Sequence, residues 1–455
     1  MAENQQSEKL GKEPLRKLFF TMAIPSVLAQ LINVLYNIVD RIYIGHIKDI
    51  GSLALTGVGV TFPIIMVVSA FSAFAGQGGA PLASILLGAK DQEKAEKVLG
   101  SSTALLLVFS ISLTLIFQIL KTPLLYAFGA SDNVIGFAQD YIGLYLCGTI
   151  FVMLSLGLNT FISGQGNAKI AMFSVLIGAV TNIILDPIFI FVMNMGVKGA
   201  ALATIISQAF SAIWVVNFLI SKKSSLKIKR ENLKLDMQFV KKIGSLGCSP
   251  FIMQSTESLV LLTLNSGLQK YGGDLYVGSM SILTSVLQLI FVPVSGIAQG
   301  VQPIISYNFG AGNRERVVKT FKTLLVVCLI ATMFMGGIAV LFPSFYVKMF
   351  TESEELVELT SKMMPIFTLG MCIFGIQQSI QVTFLAMGQA KFSIFIALLR
   401  KVILLVPLAI ILPRFMGVKG IYYAEPMADI TSVVVASITF ALNFKSILKQ
   451  CGKRR

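Results

Sequence analysis

Two aspartates stand inside apolar stretches of this chain, where an ionised side chain is energetically costly. Asp40 lies in NVLYNIVDRIYIG and Asp186 lies in TNIILDPIFIF. A carboxylate in hydrocarbon costs at least about 2 kcal/mol, so it must be paired, protonated, bound to a cation or hydrated. The chemistry that these two residues favour is therefore the binding of a proton or a small cation.

Other oxygen atoms are expected at the same depth. Asn182 precedes Asp186 by four residues, which places both on one face of a helix. Pro187 has no amide hydrogen and leaves the carbonyl oxygen of Ile183 free. Na⁺ prefers such oxygen ligands, whereas two close carboxylates can instead share one proton. A purely structural role is less favoured, because hydrogen bonds between membrane helices normally use Ser, Thr or Asn. The predicted H⁺ or Na⁺ site consists of Asp40, Asn182, Asp186 and Thr204, with Tyr141 beside them.

Membrane-spanning helices must position these residues. Of the 455 residues, 55% are hydrophobic and 13% are charged, and the mean hydropathy is +0.80. Soluble chains are about a quarter charged, and apolar stretches of about 18 residues or more indicate membrane helices. The composition excludes a disordered protein and an ordinary soluble enzyme and predicts an all-α integral membrane protein. Twelve spans are predicted near 18–46, 53–79, 98–120, 134–161, 168–194, 199–220, 243–269, 276–302, 321–347, 360–388, 391–414 and 418–444.

The distribution of basic residues predicts the orientation of these spans. Of the 37 Lys and Arg residues, 26 fall on the side that carries both termini. Because basic residues accumulate in cytoplasmic loops, the chain is predicted to cross the cytoplasmic (inner) membrane many times with both termini inside. The same rule explains the net charge of +15 without nucleic acid. The basic stretch 221–242 is interpreted as a cytoplasmic linker, since it offers no series of aromatic residues on which bases could stack.

The chain repeats itself after about 222 residues. QGGAPLASILLGAKDQEKAEKVL at 77–99 matches QGVQPIISYNFGAGNRERVVKTF at 299–321, and MGVKG occurs at 195–199 and again at 416–420. Six spans per copy keep both copies in one orientation, so the fold class is two parallel six-helix halves, as in secondary transporters. The predicted organisation is an N-terminal segment at 1–17, an N-lobe at 18–220, the linker at 221–242, a C-lobe at 243–444 and a basic tail at 445–455.

The second half does not repeat the aspartates. Asp40 aligns with Asn265, and Asp186 falls near Val406. Glu257 in span 7 is deep enough to face a central cavity, although it could instead be a structural partner for polar groups of spans 10 or 11. Asn33 and Asn37 of span 1 are predicted to face the same cavity.

Span 11 carries two adjacent basic residues, Arg400 and Lys401. Either one could neutralise Glu425 or Asp429 of span 12, and this pairing is interpreted as structural. His46 is the only histidine, so the chain has no His relay, no HExxH motif and no Ser-His-Asp arrangement. Because a Walker A motif is also lacking, direct coupling to ATP is not expected.

The repeated QG…P…GA…E motif, the string TNIILDP and the two six-span halves resemble the multidrug and toxic compound extrusion (MATE) family, and within it the MepA-like bacterial multidrug exporters. The resemblance covers roughly 15–450. It implies an antiporter that takes up H⁺ or Na⁺ and expels lipophilic or planar cations, with no cofactor. The partners expected are these small molecules and membrane lipid, with the protein acting as a monomer.

The resemblance also assigns roles to individual residues. It implies an N-lobe cation site that adds Ala200 to the set above, a hinge at Pro25 where span 1 bends, and a substrate role for Glu257. In span 10, Gln378 stands where some relatives carry an aspartate, which moves the expected cation site to the N-lobe. The residues expected at the substrate cavity are Glu257, Asn33, Asn37 and Gln378.

One alternative function belongs to the same superfamily. A flippase for lipid-linked saccharides would need more spans or cationic residues in its cavity to bind pyrophosphate. Arg41, Arg400 and Lys401 are the only candidates within the spans. A membrane enzyme is less favoured still, because the chain offers no catalytic constellation.

Overall fold

The computed structural model describes residues 5–452, and their regular structure is helical throughout. The segment Gly370–Ile373 forms a 3₁₀ turn in span 10, and the segments Ile188–Val192 in span 5 and Leu399–Leu405 in span 11 are π-helical. The helices are α1 (Gln5–Lys12), α2 (Leu15–Gly45), α3 (Gly51–Gly88), α4 (Gln92–Ala127), α5 (Ile135–Cys147), α6 (Thr149–Gly164), α7 (Ala168–Pro187), α8 (Val197–Ile220), α9 (Met237–Tyr271), α10 (Asp274–Gly310), α11 (Arg314–Leu341), α12 (Pro343–Val347), α13 (Glu354–Thr368), α14 (Phe374–Ala386), α15 (Ala390–Leu398), α16 (Val406–Ile411), α17 (Pro413–Met416) and α18 (Val418–Leu448).

Of the twelve spans predicted from the sequence, the described residues support ten, or eleven if the bent pair α5 and α6 is one span, and the seventh is not among them. Within residues 5–452, ten helical stretches are long and apolar enough to cross a membrane, and α5 and α6 form an eleventh span that bends by 59° at Gly148. The predicted seventh span is α9, which at 35 residues is long enough but carries Gln254, Thr256 and Glu257 near its centre. The fold class predicted from the sequence, an all-α membrane protein with two repeated halves, is confirmed.

The repeated motif forms the same local structure in both halves. Lys90 and Gly312, which are 222 positions apart, both adopt a positive φ (60° and 79°) in the turn that follows the second span of each half. The next helices begin at equivalent caps, since Asp91 accepts from the amide of Lys94 at 3.1 Å and Asn313 accepts from the amide of Arg316 at 3.1 Å. Such caps satisfy amides that lack partners in the first helical turn.

The two halves pack together where the repeated motifs end. A Cβ atom at Gly88 would overlap the carbonyl oxygen of Tyr307, and one at Gly310 would overlap the carbonyl oxygen of Ile85. Only glycine allows backbones to approach this closely, so α3 and α10 touch directly. We call this end of the bundle, which also carries helix α1, Gly452 and the linker, the basic end.

The N-terminal helix α1 lies across the seam between the halves at the basic end, in contact with α3 and α10. Leu10 is fully buried, and its carbonyl oxygen accepts hydrogen bonds from Asn308 Nδ2 at 2.9 Å and from Arg316 Nε at 3.2 Å. The amide of Gly452 donates to Phe309 O at 3.0 Å. Both ends of the described chain are therefore attached to the C-terminal half.

The linker between the halves also packs against the bundle. Gln165 Oε1, which is buried, accepts from Ser224 Oγ at 3.1 Å and from the amides of Ser225 and Leu226 at 2.7 and 3.2 Å. Helix α9 begins at Met237, inside the stretch 221–242 that the sequence analysis interpreted as linker. The connection between α8 and α9 is therefore shorter than expected, and it is docked.

Candidate functional site

The carboxyl groups of Asp40 and Asp186 lie close enough to interact with each other. Asp40 is on α2 and Asp186 is near the end of α7, and these two helices pack along one another. Asn182 Nδ2 donates to Asp186 Oδ1 at 3.1 Å, as expected for residues one helical turn apart. The structure thus brings together the three side chains that the sequence analysis grouped first.

Irregular helix geometry surrounds this pair. Pro187 follows Asp186 directly, and beyond it the chain continues as the π-helical segment Ile188–Val192. On the neighbouring span, α5 and α6 meet at the bend of Gly148. π-segments and bends interrupt the regular series of backbone hydrogen bonds, so some carbonyl groups there are left available. Such segments are common at functional sites.

Several oxygen atoms at this site have no hydrogen-bond donor. In the part of the chain that the structure describes, Asp40 Oδ1, Asn182 Oδ1 and Asp186 Oδ2 are buried without a partner. Two close carboxylates cannot both remain ionised and unpaired, because each raises the cost of charging the other. A shared proton or a monovalent cation between them would satisfy these oxygens.

Thr204, Ala200 and Tyr141 lie next to the pair, as expected. Thr204 Oγ1 donates to Ala200 O at 3.0 Å, and the hydroxyl groups of Tyr141 and Thr204 are close enough to interact. The ring of Tyr141 is buried and stacks on that of Tyr145, with centroids 6.2 Å apart. The Ala200 carbonyl thus accepts one hydrogen bond from Thr204, whereas the three side-chain oxygens named above accept none among the described residues.

Sequence reasoning missed Tyr36. This residue is one helical turn before Asp40 on α2, and it also lines the main cavity of the bundle. The spacing of four residues from Asp40 was the available signal, because residues i and i+4 share a helix face. Tyr36 therefore connects the carboxylate pair with that cavity.

The cavity has a volume of about 530 Å³ and lies mainly within the N-terminal half, with one wall formed by α9 and α10. Its lining contains no Asp, Glu, Lys, Arg or His among the described residues, so it combines apolar and polar groups without a charge. Gln30 Nε2 donates to Gln299 Oε1 at 3.1 Å and so joins the two halves across it. Its amide-bearing side chains are Gln30, Asn33, Gln77, Asn159, Gln208, Gln254, Gln299 and Gln302.

The four residues predicted for the substrate cavity are placed differently from one another. Asn33 lines the cavity, whereas Asn37 is exposed on α2 and donates to Asn33 O at 2.6 Å. Gln378 is buried in α14, and its Oε1 atom has no donor among the described residues. Glu257 is half-exposed and forms an ion pair with Lys401, outside the lining of the cavity.

The basic residues of span 11 have separate partners. Arg400 Nε donates to Asp429 Oδ1 at 2.6 Å, and its Nη2 atom donates to Glu425 Oε1 at 2.9 Å. Lys401 instead pairs with Glu257 and donates to Met253 O at 3.0 Å. One arginine therefore binds both carboxylates of span 12, and the adjacent lysine faces α9.

Pro25, the expected hinge, is buried inside α2, which continues through it as an α-helix. The helix packs tightly against α10 at this level, since a Cβ atom at Gly300 would lie 2.6 Å from Met22 O and 2.7 Å from Ser26 Oγ. Pro25, which has no amide hydrogen, therefore lies where α2 contacts the other half.

Two repeated helical halves, with a cavity that lies mainly in the first half and is walled by helices of the second, are the arrangement of an integral-membrane transporter. The MatE family model matches residues 25–188 and 250–411, once in each half and over more than half of the chain. The chain belongs to this family.

Characterised and solved relatives agree with the assignment. Two "Multidrug export protein MepA" sequences are similar to this chain. That of Staphylococcus aureus (strain MSSA476) is 25% identical over 96% of each chain, and that of Staphylococcus haemolyticus (strain JCSC1435) is 26% identical over 92% of each. A structure described as "Outward-facing conformation of a multidrug resistance MATE family transporter of the MOP superfamily" has a TM-score of 0.90 at 22% identity, covering 97% of this chain and 98% of that one. Another, "Crystal structure of MATE in the bent conformation", has a TM-score of 0.91 at 21% identity, with 98% and 99% coverage. These structures support the fold.

Proposed function

We propose that this protein is a secondary active multidrug efflux antiporter of the bacterial cytoplasmic membrane. It exports lipophilic cations in exchange for H⁺ or Na⁺, and its basic end faces the cytoplasm. The observation that carries the proposal is the pair of Asp40, which is half-buried, and Asp186, which is fully buried; together with Asn182 they present three buried oxygens that lack donors among the described residues. Two carboxylates in a membrane protein that is not an enzyme are best explained as the site of a coupling ion.

The pair performs the exchange by changing its charge. When a proton or Na⁺ binds, the repulsion between the carboxylates disappears and α2 and α7 can close around it. Tyr36 and Asp40 are on adjacent turns of α2, so a movement of this helix at the ion site also moves the cavity wall. Pro25, which lacks an amide hydrogen, gives α2 a position at which to bend. Ion binding and drug binding then favour different conformations, which is what exchange requires.

The cavity supports small lipophilic substrates. A volume of about 530 Å³ is typical of sites for drug-sized molecules. The lining itself carries no charge among the described residues. A positively charged substrate would therefore be attracted by carboxylates outside the lining, namely the Asp40–Asp186 pair and Glu257. Neutral amide and hydroxyl groups can accept hydrogen bonds from varied ligands without fixing one geometry.

The alternative, a flippase for lipid-linked saccharides, receives no support from the cavity. Its lining contains no basic side chain among the described residues, whereas a pyrophosphate group would need several. Arg400 and Lys401 are already paired with carboxylates. Export of lipophilic cations is therefore the function that fits the site best.

Purified protein in liposomes provides the test. Vesicles loaded with a fluorescent lipophilic cation are exposed to a proton gradient or a Na⁺ gradient, each imposed alone. The proposal expects transport against the drug's own gradient with one of these ions and none after the gradient is collapsed. Drug transport that needs neither gradient would contradict the proposal. So would flipping of a fluorescent lipid by the same vesicles at a rate equal to that of drug transport.

A further inference from the structure

The ion pair between Glu257 and Lys401 is asymmetric in its exposure. The side chain of Glu257 is 46% exposed, whereas that of Lys401 is only 10% exposed. The ammonium group also donates to Met253 O at 3.0 Å, so it is held by two oxygens of α9. A half-exposed carboxylate is thus paired with a buried cation that a second oxygen of the same helix also holds.

The charges around this pair do not balance. In their ionised forms, Arg400 and Lys401 supply two positive charges, and the carboxylates of Glu257, Glu425 and Asp429 supply three negative ones. Asp429 is 1% exposed, and its Oδ2 atom is buried without a donor among the described residues. The charges of Lys401 and Glu425 are close enough to interact. The cluster, which consists of these five side chains, can therefore accept one more positive charge.

We propose that Lys401 is a tethered counter-ion that neutralises Glu257 until a monovalent cationic substrate displaces it. The proposal rests on the proposed export of cations and adds a residue that sets its affinity. The substrate cation binds the exposed carboxylate of Glu257. The ammonium group of Lys401 then keeps its hydrogen bond to Met253 O and turns towards the surplus negative charge of Glu425 and Asp429. With the substrate bound, the formal charge of the cluster becomes zero.

Such a counter-ion has two physical consequences. It removes the cost of leaving a carboxylate unpaired beside the membrane interior when no substrate is bound. It also competes with the substrate, so that the drug binds weakly enough to be released. A neutral compound gains nothing from displacing Lys401, and the cluster therefore selects for positive charge.

Equilibrium binding to the purified full-length protein tests this role. The probe is tetraphenylphosphonium, and the variants are Lys401→Met, Lys401→Arg, Glu257→Gln and the double variant Glu257→Gln/Lys401→Met. Removing the competitor should tighten binding of the probe about five- to tenfold in Lys401→Met, since a partly buried ion pair has a worth of this order. Lys401→Arg should retain the affinity of the wild type, and the double variant should lose the gain.

Two controls separate competition from disturbed folding. Lys348→Met removes an exposed lysine and should leave binding unchanged, and thermal unfolding of each variant reports whether the bundle is intact. A neutral compound of the same size should bind all variants equally. Affinity for tetraphenylphosphonium that is unchanged or weaker in Lys401→Met, or a gain that persists in the double variant, overturns the proposal. So does the absence of binding by both the wild type and Lys401→Met.

The result is distinguishable from a failure of the proposed function. If the wild type exports cations in liposomes but Lys401→Met binds them no better, only the role of Lys401 is wrong. If the wild type transports no drug under either gradient, the proposed function fails, whatever the binding comparison gives.

Discussion

Asp40 on α2 and Asp186 on α7 share one site, where their carboxyl groups are close enough to interact and one buried oxygen of each has no donor within residues 5–452. Asn182 supplies the amide contact that the structure gives Asp186, at 3.1 Å. Two like charges at this separation repel strongly in a low-dielectric surrounding. The arrangement is stable only with a proton or cation between them, and it therefore responds to the ion gradients of the membrane.

Replacing either aspartate by asparagine should abolish coupled export. Asp40→Asn and Asp186→Asn preserve side-chain volume but remove the charge that holds the ion, so drug efflux should fall at least about tenfold while the protein remains folded. Efflux of a fluorescent cation from cells, with size-exclusion chromatography of the purified variants, measures both properties. Asp140→Asn is the matched control, since Asp140 is exposed and pairs only loosely with Lys198 at 3.4 Å. Near-normal export by either variant would mean that the pair does not couple.

Positive charge on the substrate should determine transport. Lipophilic cations should be exported several-fold faster than neutral analogues of equal size, because the nearby carboxylates give the cavity a negative potential. Glu257→Gln should weaken export of the cations and leave the midpoint of thermal unfolding nearly unchanged. Proteoliposome uptake of matched charged and neutral pairs tests the prediction, and equal rates for both members of a pair would refute it.

Coupling ion and drug should bind antagonistically. The affinity for a fluorescent cation should fall as H⁺ or Na⁺ saturates the aspartate pair, and this dependence should vanish in Asp40→Asn. The measurement is equilibrium binding to purified protein over a series of pH values and Na⁺ concentrations. An affinity that ignores both ions, or that keeps its dependence in the variant, would show that the pair and the cavity are independent.

The orientation of the bundle can be tested by cysteine labelling. In a cysteine-free background, Lys223→Cys in the linker should be protected from an impermeant reagent applied to intact cells, and Asn133→Cys should be labelled. Both positions are exposed on the protein, at opposite ends of the bundle, whereas the neighbouring Ser225 is buried and would resist labelling on either side. Labelling of Lys223→Cys from outside would reverse the proposed topology.

The docked linker should come loose when its acceptor is removed. Gln165→Ala leaves three donors of the linker without Oε1, which should weaken its attachment by about 1–3 kcal/mol. Limited trypsin digestion should then cut the lysine-rich stretch 222–234 faster than in the wild type. Gln238→Ala, at an exposed position, is the control that should not change the rate.

Much of the N-terminal site could be predicted from the sequence, because the membrane restricts it strongly. A carboxylate in an apolar span demands a partner, and counting residues along a helix gives its depth. Asp40 and Asp186 are therefore expected at one level, and Asn182 is expected on the face of Asp186. The uncharged cavity was not predicted, since its amides come from several helices and converge only when the bundle is packed.

The C-terminal half shows where such reasoning stops. The sequence identifies Arg400, Lys401, Glu257, Glu425 and Asp429 as charges that need partners, but it leaves the pairing open. Arg400 and Lys401 are neighbours in the π-helical segment Leu399–Leu405, and neighbouring side chains of a helix point in different directions, so Arg400 meets span 12 and Lys401 meets α9.

The sequence by itself determined the membrane class, the two repeated halves and the depth of each polar residue. These follow from hydropathy, from the repeat and from a fixed rise per residue, which are properties of the chain read in one dimension. Only the tertiary structure decided the contacts between halves, the shape of the cavity and the partner of each buried charge. Those depend on the rotation of each helix about its own axis, which is set by packing against several neighbours at once.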